Sequence, residues 1–268
     1  MRDGQLSAIE VVRGLGTRRV GRSVEVFDKI DSTNRHALER LDLAKADGLV
    51  VLAEQQTAGR GRLGREWHCP TGAGILCTVV LVDTEATIDG NLLSLLVPVA
   101  ISDGILDATD VRTEIRWPND LVVGPRKLAG VLIESGAEPA GGLRYAIGFG
   151  INCLQHHGHF PPDLRQQATS LDIEHSTPID RGRVLRAVLR ELDRWVAQPQ
   201  EWNVEQVCEL WKRHALPLGQ RVRLRHLGRY FTGNILDIAP SAALVVQLDE
   251  GGRRLFPASS TTLIQQTD

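Results

Sequence analysis

Residues 55–70 read Q-Q-T-A-G-R-G-R-L-G-R-E-W-H-C-P, and the rest of the chain is interpreted around this stretch. Glycine adopts backbone conformations that other residues avoid and lets a ligand approach the main chain closely. Arginine adds a permanent cation whose planar fork of donors suits carboxylates and phosphates. Three of each fall within seven residues: Gly59, Arg60, Gly61, Arg62, Gly64 and Arg65. The pattern therefore predicts a loop that surrounds a small anion.

Other interpretations of the same loop are weaker. G-R-G-R-L-G satisfies the G-x-G-x-x-G fingerprint of dinucleotide-binding folds, which needs a helix that opens at the third glycine. Pro70, Gly72 and Gly74 come soon afterwards and disfavour such a helix. A Walker-type phosphate loop is not favoured, because no Gly-Lys-Ser/Thr follows. A basic surface turn stays open, although this density of glycine and arginine argues against it.

The composition is that of an ordinary globular protein. The 268 residues carry a formal net charge of -2, so bulk charge gives no reason to expect non-specific nucleic-acid binding. No apolar run approaches the roughly 18 residues of a membrane span, and residues 1–21 lack the apolar core of a secretory signal. The cysteines are scattered and form no C-x-x-C pair, so a reducing, cytoplasmic setting is expected.

The first half of the chain alternates predicted strands with polar motifs. Residues 24–30 and 48–55 read as strands, and D-S-T-N at 31–34 precedes an amphipathic helix with Ala37, Leu38 and Leu41. Asp, Ser, Thr and Asn are all good helix N-caps, so capping alone would explain that motif. Residues 75–82 read as a buried strand. Residues 91–108 read as a buried helix in which Pro98 introduces a kink or marks a late first turn.

Three further motifs lie next to predicted strands. E-I-R-W-P-N-D at 114–120 is a short strand that Pro118 ends, and K-L-A-G at 127–130 opens the strand 131–135. G-F-G-I-N at 148–152 ends the strand 143–151. Each motif also has a purely structural explanation. W-P-N-D is typical of a β-turn, the lysine of K-L-A-G would be an ordinary solvated surface group, and the glycines of G-F-G-I-N would permit close packing. The loop with His156, His157 and His159 reads as surface rather than as a metal site.

The second half is predicted to be helical and then all-β. Residues 178–196 and 204–214 show helical periodicity, with Ser176 or Thr177 as the expected cap of the first helix. Residues 217–219 mark a boundary. Five short strands come after it, at 222–224, 230–238, 244–248, 253–257 and 262–264, and this spacing predicts a small SH3-like barrel.

Taken together, the motifs resemble those of biotin protein ligases. The glycine–arginine loop 59–67 is similar to the adenylate-binding loop of that family, and the other four motifs occur in the family's order. The resemblance runs from about residue 24 to the C-terminus. It implies an α+β fold, with a mixed, mostly antiparallel sheet packed with helices, followed by a small SH3-like β-barrel.

The same resemblance implies how the chain is divided into domains and whether it binds DNA. Residues 1–22 are expected to form a helical or linker segment, 23–216 the catalytic biotin- and ATP-binding domain, and 217–268 the SH3-like domain. Some members of the family carry an N-terminal helix-turn-helix domain and act as repressors. Residues 1–22 are too short for such a domain, so an enzyme without DNA binding is expected.

The implied activity is an ATP-dependent ligase that forms biotinyl-5′-AMP and transfers biotin to a lysine of a biotin carboxyl carrier protein. Lys127 and Arg62 are the implied catalytic residues. Asp120 is the implied ligand of Mg²⁺. By resemblance, Gln56 and Arg60 contact biotin and Trp67 lies near adenine, although a core position for Trp67 stays open. The implied substrate-binding residues are Ser32, Thr33, Asn34, Gln56, Gly59, Arg60, Gly61, Arg62, Trp67, Asn119, Lys127, Gly130 and Asn152.

ATP with Mg²⁺ and biotin are therefore the expected small molecules, with no tightly bound prosthetic group. The carrier domain of acetyl-CoA carboxylase or a related carboxylase is the expected protein partner. DNA and membrane are not expected partners, and a homodimer stays open. Three alternative functions also stay open: a lipoate or octanoate protein ligase, a non-catalytic biotin sensor and, less favoured, a dinucleotide-dependent oxidoreductase.

Overall fold

A computed structural model describes residues 5–39, 46–137, 141–175, 177–215 and 217–267, with side chains up to residue 264. Two sheets dominate the fold. The larger sheet has seven strands in the order β1-β2-β3-β7-β6-β5-β4. Its strands are β1 (Ser23–Phe27), β2 (Leu49–Ala53), β3 (Gly74–Asp83), β4 (Glu114–Arg116), β5 (Asp120–Val123), β6 (Arg126–Ala137) and β7 (Leu143–Asn152).

Only β1 and β2 pair in parallel within this sheet, and the other neighbours run antiparallel. The expected mixed, mostly antiparallel sheet is therefore confirmed. The long strands β3, β6 and β7 form its centre. Strand β3 is buried at nearly every position because both faces of the sheet are covered there. Val79 and Val80 point to opposite faces, and they belong to two different hydrophobic clusters. That double burial explains why its sequence is an apolar run rather than an alternating one.

Helices pack beside this sheet. They are α1 (Ala8–Val12), α2 (Thr33–Glu39), α3 (Gly90–Thr109), α4 (Leu171–Glu174), α5 (Arg181–Val196) and α6 (Val204–His214). The longest is α3, which Asp89 caps and which packs against α5 and α6. It runs unbroken across Pro98, so Pro98 does not mark its first turn.

Helix α3 is also the one helix in the described part of the chain that is long and apolar enough to cross a bilayer. That test uses length and composition alone. Because 78% of the apolar window is buried against other parts of the chain, its apolar surface is explained by its place in the core.

The start of α5 differs from the prediction. Its N-cap is Asp180, whose side chain accepts a hydrogen bond from the Arg183 N–H, and Pro178 lies outside the helix. A carboxylate at the N-cap satisfies a helix N–H that otherwise lacks a partner, so the helix begins after Asp180 rather than after Thr177. The other predicted cap, Ser176, and the predicted apolar position Leu41 of α2 lie outside the described residues.

The N-terminal segment is tied to α5. The backbone N–H groups of Arg18, Arg19 and Val20 donate to the Asp193 carboxylate at 2.7, 2.8 and 2.8 Å. Apolar side chains of this segment, from Leu6 to Val20, belong to the main hydrophobic core. Residues 5–22 are therefore packed into the same core as the larger sheet, and the division of the chain at residue 22 stays a prediction.

The smaller sheet has five antiparallel strands in the order β11-β10-β9-β8-β12. They are β8 (Arg221–His226), β9 (Arg229–Ile238), β10 (Leu244–Leu248), β11 (Arg253–Phe256) and β12 (Thr261–Thr267). All five predicted strands are present, while closure into an SH3-like barrel stays a prediction. The Trp117 indole N–H donates to the Ala242 carbonyl at 3.0 Å and so links this sheet to the larger one.

Close packing of α3 against α5 depends on Gly104. A Cβ at this position would lie 2.5 Å from Val188 Cα and 2.6 Å from Val188 N, both of them backbone atoms that cannot turn away. We expect Gly104→Ala to lower the free energy of unfolding by about 1–3 kcal/mol in urea denaturation. Gly90→Ala in the same helix is the control, since its Cβ would meet only ordinary contacts with the Tyr145 ring. Equal stability of the two variants would contradict the tight crossing.

His214 at the end of α6 gives a second test, through pH. Its Nε2 lies 2.8 Å from Asp103 Oδ1 on α3, and this hydrogen bond is the main reason that the pKa of His214 is raised above 6.5. A raised pKa in the folded state contributes stability that is complete below the unfolded value and is lost as pH rises through the folded value. Asp103→Asn should therefore lower the melting temperature more at about pH 5.5 than at about pH 8.5. A pH-independent difference from wild type would argue against a charged pair.

Candidate ligand-binding site

A cavity of about 500 Å³ lies on the central strands of the larger sheet. Its volume falls in the range that holds small organic ligands. The start of α2 and the loop 56–68 form two of its walls, and the edge strand β12 of the smaller sheet forms a third. The cavity is therefore built by segments that are far apart in the sequence.

The polar motif at the start of α2 lies at the buried end of the cavity. The residues Ser32, Thr33 and Asn34 are only 3%, 3% and 5% exposed. The Thr33 N–H and hydroxyl both donate to Gln56 Oε1, at 2.7 and 3.0 Å. Ser32 Oγ accepts the N–H of Arg35 at 3.4 Å, so one residue of the motif caps the helix while its neighbours bind across the cavity.

Asn34 is held in one orientation. Its amide donates to the Leu132 carbonyl at 3.1 Å and to the Glu134 carboxylate at 2.8 Å, and its oxygen accepts the Thr78 hydroxyl at 2.6 Å. Thr78 is fully buried in β3 and was not singled out from the sequence. The signal that could have found it is a lone hydroxyl in the apolar run of that strand.

The glycine–arginine loop forms a tight turn. Gly61 N–H donates to the Arg65 carbonyl at 2.6 Å, and Trp67 N–H donates to the Gly59 carbonyl at 3.1 Å. Only a three-residue 3₁₀ helix, Arg62–Gly64, lies between them, and the chain then continues extended. No helix opens at Gly64, so the dinucleotide fingerprint lacks the structural context that it requires.

Arg62 reaches from this loop toward both sheets. Its guanidinium lies 3.4 Å from Asn119 Oδ1 and donates to the Ala258 carbonyl next to β12. Burial lowers the pKa of Arg62, while the neighbouring Asp120 carboxylate opposes that shift. Arg62 is therefore a partly desolvated cation on the wall of the cavity, where an anion would interact with it more strongly than in water.

Lys127 and Asp120 form an ion pair inside the cavity. Lys127 Nζ lies 2.6 Å from Asp120 Oδ1 and 5.3 Å from the centre of the Trp67 ring. The backbone of Lys127 is fixed on both sides: its N–H donates to the Gln167 carbonyl at 2.7 Å, and its carbonyl accepts the Thr169 N–H at 2.9 Å. A lysine of β6 is thus aimed into the cavity by a segment 40 residues downstream.

The Trp67 indole lies flat on the sheet because two glycines leave room for it. A Cβ at Gly150 would lie 2.5 Å from Trp67 Cε2, and one at Gly130 would lie 3.1 Å from Trp67 Cζ3. The Trp67 indole N–H is buried, and no described residue accepts its hydrogen bond. Trp67 is therefore part of the cavity wall rather than of the core.

The side chain of Asn152 forms its hydrogen bonds with other residues of the protein. Its amide donates to the Thr169 carbonyl at 2.9 Å and its oxygen accepts from Gln155 at 3.0 Å. Thr169 is the residue whose N–H holds the Lys127 carbonyl. Asn152 thus supports Lys127 through residue 169, in addition to lining the cavity.

The structure brings nearly all of the predicted site residues together. The predicted residues that line the cavity are Ser32, Thr33, Asn34, Gln56, Arg60, Gly61, Arg62, Trp67, Asn119, Asp120, Lys127, Gly130 and Asn152. Gly59 lies behind Gln56, since its Cβ would be 3.1 Å from Gln56 Nε2. Sequence interpretation missed Thr262 and Ile264 of β12, which line the cavity from the smaller sheet and carry no local signal.

The described residues contain no cluster of three or more His, Cys, Asp or Glu side chains that could hold a metal ion by themselves. His156 Nδ1 lies 3.5 Å from Asp172, an exposed contact.

Comparisons with known proteins identify relatives of this chain. Residues 26–152 match the model of the Biotin/lipoate A/B protein ligase family. The biotin--[acetyl-CoA-carboxylase] ligase of Mycobacterium tuberculosis is 34% identical over 239 residues, which cover 87% of this chain and 85% of that protein. The bifunctional ligase/repressor BirA of Bacillus subtilis is 32% identical over 255 residues, which cover 95% of this chain and 78% of that protein.

A solved structure has the same fold. The biotin protein ligase from Aquifex aeolicus, in complex with biotin and ATP, matches with a TM-score of 0.78 and 23% sequence identity. The match covers 92% of this chain and 100% of that chain. At this identity the likeness establishes the fold alone, and it confirms the predicted α+β class.

The contact between Gly150 and Trp67 predicts the effect of a single methyl group. Gly150→Ala should push the indole off the sheet, because the Cβ would overlap the ring. The fluorescence of Trp67 is the spectrum of Gly150→Ala minus that of the same variant with Trp67→Phe. This emission should shift to longer wavelength as the ring enters water. Gly136→Ala is the control, since its Cβ would meet Leu38 at an ordinary 3.7 Å. An unshifted Trp67 spectrum in Gly150→Ala would show that the ring does not rest there.

Proposed function

This chain belongs to the biotin protein ligase family, and from that premise we propose how its cavity carries out the reaction. The protein is an ATP-dependent ligase that activates biotin and transfers it to a lysine of a protein. The observation that carries the proposal is the arrangement of one cavity. Its buried end is a fixed set of polar groups, and its other end holds Lys127 and Arg62.

The proposed reaction has two steps. In the first, a biotin carboxylate oxygen attacks the α-phosphorus of ATP, and the bond to the bridging oxygen breaks to release pyrophosphate. In the second, the amine of an acceptor lysine attacks the acyl carbon of biotinyl-5′-AMP. An amide forms, AMP leaves and the amine loses a proton. Activation is needed because a carboxylate is a poor acylating agent, whereas the phosphate of AMP is a good leaving group.

The buried polar cluster suits the head of biotin. A ureido ring offers two N–H donors and one carbonyl acceptor, and it needs both kinds of partner in fixed positions. Thr33, Asn34 and Gln56 present hydroxyl and amide groups that hydrogen bonds hold in place. Arg60 Nη2 lies 3.5 Å from Glu134, which also accepts from Asn34, so the loop is joined to this cluster. A lipoyl or octanoyl chain has no ureido ring and therefore offers this cluster no matching set of hydrogen-bond donors and acceptor.

The cationic end opposes the repulsion between the reacting anions. The biotin carboxylate and the α-phosphate repel one another, and Lys127 and Arg62 would offset that repulsion and stabilise the charge of the transition state. The Asp120 carboxylate lies 2.6 Å from Lys127 Nζ and neutralises its charge. We propose that the incoming substrates take the place of that partner on the lysine.

Asp120 is also the proposed carboxylate for Mg²⁺. Magnesium is usually held by one or two carboxylates together with substrate phosphates, so a single carboxylate beside a phosphate site fits that ion. A bound Mg²⁺ would neutralise part of the negative charge of the ATP phosphates. Arg116 Nη2 lies 3.6 Å from the other Asp120 oxygen and keeps the carboxylate directed at the cavity.

Direct transfer from the adenylate agrees with the state of the cysteines. Burial raises the pKa of Cys69 to about 12 and that of Cys77 well above its usual value, although Cys77 borders the cavity. These thiols are poor nucleophiles, because the thiolate is the reactive form. Catalysis by positioning and electrostatics, without a covalent enzyme intermediate, is the mechanism that we propose.

The protein acceptor is proposed from the names of the relatives, which are ligases for acetyl-CoA carboxylase. A biotin carboxyl carrier domain is therefore the proposed partner. A cytoplasmic location, the absence of DNA binding and a homodimer stay predictions.

The activity is tested by pyrophosphate release from ATP with biotin, lipoate or octanoate supplied separately. We expect release with biotin alone. Lys127→Ala should lower kcat/KM by about 10²–10³, the usual cost of removing one group that stabilises developing charge. Lys29→Ala is the matched control, because Lys29 is exposed and lies outside the cavity.

Other outcomes separate the alternatives. Release with lipoate or octanoate would assign the chain to the sister activity. Biotin binding without release would identify a sensor. Equal activity of Lys127→Ala and Lys29→Ala would remove Lys127 from the mechanism.

A further inference from the structure

The outer face of the smaller sheet carries a row of arginines. Strand β8 alternates strictly: Val222, Leu224 and His226 are buried, while the arginine before each of them is exposed. Side chains two residues apart in a strand lie on one face and are about 6.8 Å apart. Arg221, Arg223 and Arg225 therefore form a straight basic row.

Register extends this face across neighbouring strands. Arg223 pairs with Thr232 and Arg225 pairs with Tyr230 on β9, so all of these side chains share the outer side. Arg221 pairs with Asn234, Asn234 with Gln247 and Gln247 with Arg253, which brings in β11. The basic face is defined here as Arg221, Arg223, Arg225, Tyr230, Thr232 and Arg253.

Among the described side chains, most of the charge on this face is not neutralised. Arg221 pairs with Asp249 at 2.5 Å. In the part of the chain with described side chains, no carboxylate forms an ion pair with Arg223, Arg225 or Arg253. Arg223 instead stacks over the Tyr230 ring at 4.9 Å, and Tyr230 is 57% exposed. Like charges on adjacent positions of one face repel one another, so an anionic partner would relieve a cost that the free protein carries.

The basic face begins beside the cavity. Strand β12 is an edge strand of the smaller sheet, and its residues from Thr261 to Ile264 line the cavity. Arg225 pairs with Thr262 across β8 and β12. Adjacent strands are about 4.8 Å apart, so the row of arginines starts one strand away from the cavity wall.

We propose that the basic face docks an acidic surface of the protein acceptor and thereby presents its lysine to the cavity. This inference rests on the proposed function, which requires a second substrate that is a folded protein. Guanidinium groups bind carboxylates through paired hydrogen bonds, and arginine and tyrosine are enriched in protein interfaces. A flat sheet face with an exposed tyrosine suits a protein surface better than a single small anion.

The positive charge of the basic face is expected to act mainly on the rate at which the protein acceptor associates. Complementary charges raise the association rate, and salt screens that attraction. The acceptor step should therefore depend on ionic strength, whereas adenylation of biotin takes place inside the cavity and does not involve the basic face. This difference separates the two steps experimentally.

The test compares the two half-reactions in Arg223→Glu/Arg225→Glu. A purified biotin carboxyl carrier domain of an acetyl-CoA carboxylase is the acceptor. We expect kcat/KM for the carrier to fall about tenfold or more at low salt, while biotin-dependent pyrophosphate release without carrier stays within about twofold of wild type. Added salt should slow transfer by the wild type and have little effect on the variant. Normal pyrophosphate release also shows that the variant is folded.

Arg183→Glu/Arg194→Glu on α5 is the matched control, because it changes the net charge equally at exposed positions away from the basic face. An equal loss of transfer in this control would overturn the docking site, since net charge alone would explain the effect. Unchanged carrier kinetics in Arg223→Glu/Arg225→Glu would overturn it as well. So would the finding that the basic face binds duplex DNA while transfer is unaffected. If wild type released no pyrophosphate with biotin, the proposed function itself would fail.

Discussion

The cavity depends on three positions in two neighbouring strands that carry no side chain. Gly130 of β6 pairs with Gly150 of β7, and Gly148 lies two residues earlier on the same face. A methyl group at Gly148 would overlap the Asn34 amide, and one at Gly150 would overlap the Trp67 ring. Both side chains come from segments outside these strands, so the bare patch of sheet is what lets them pack as the floor and walls of a binding site.

Local patterns in the sequence predicted most of the fold. The apolar run of α3 and the amphipathic run of α6 are properties of a few adjacent residues, and helices Gly90–Thr109 and Val204–His214 occur within one residue of their predicted bounds. The start of α5 was misplaced because several residues before it can cap a helix. The choice of Asp180 depends on where the helix meets the rest of the core, and that information is not local.

The sequence predicted which residues belong to the site, but not how they contact one another. Motifs identified Lys127, Asp120 and the residues around Gln56, and the structure brings them into one cavity. The sequence could not show that Lys127 pairs with Asp120, that Asn152 supports it through residue 169, or that β12 closes the cavity. Each of these contacts joins segments that the fold alone brings together.

The bond between Asp193 and the N-terminal segment also bears on how the chain folds during synthesis. Asp193 lies 173 residues after Val20, yet it accepts the N–H groups of three consecutive residues there. Contacts of such long range form late, because a large loop must close before they can be made. While the ribosome is still making the central sheet, residues 18–20 have no access to this carboxylate. These three hydrogen bonds are therefore among the last contacts of residues 18–20 to form, later than the pairing of Arg19 with Asp47.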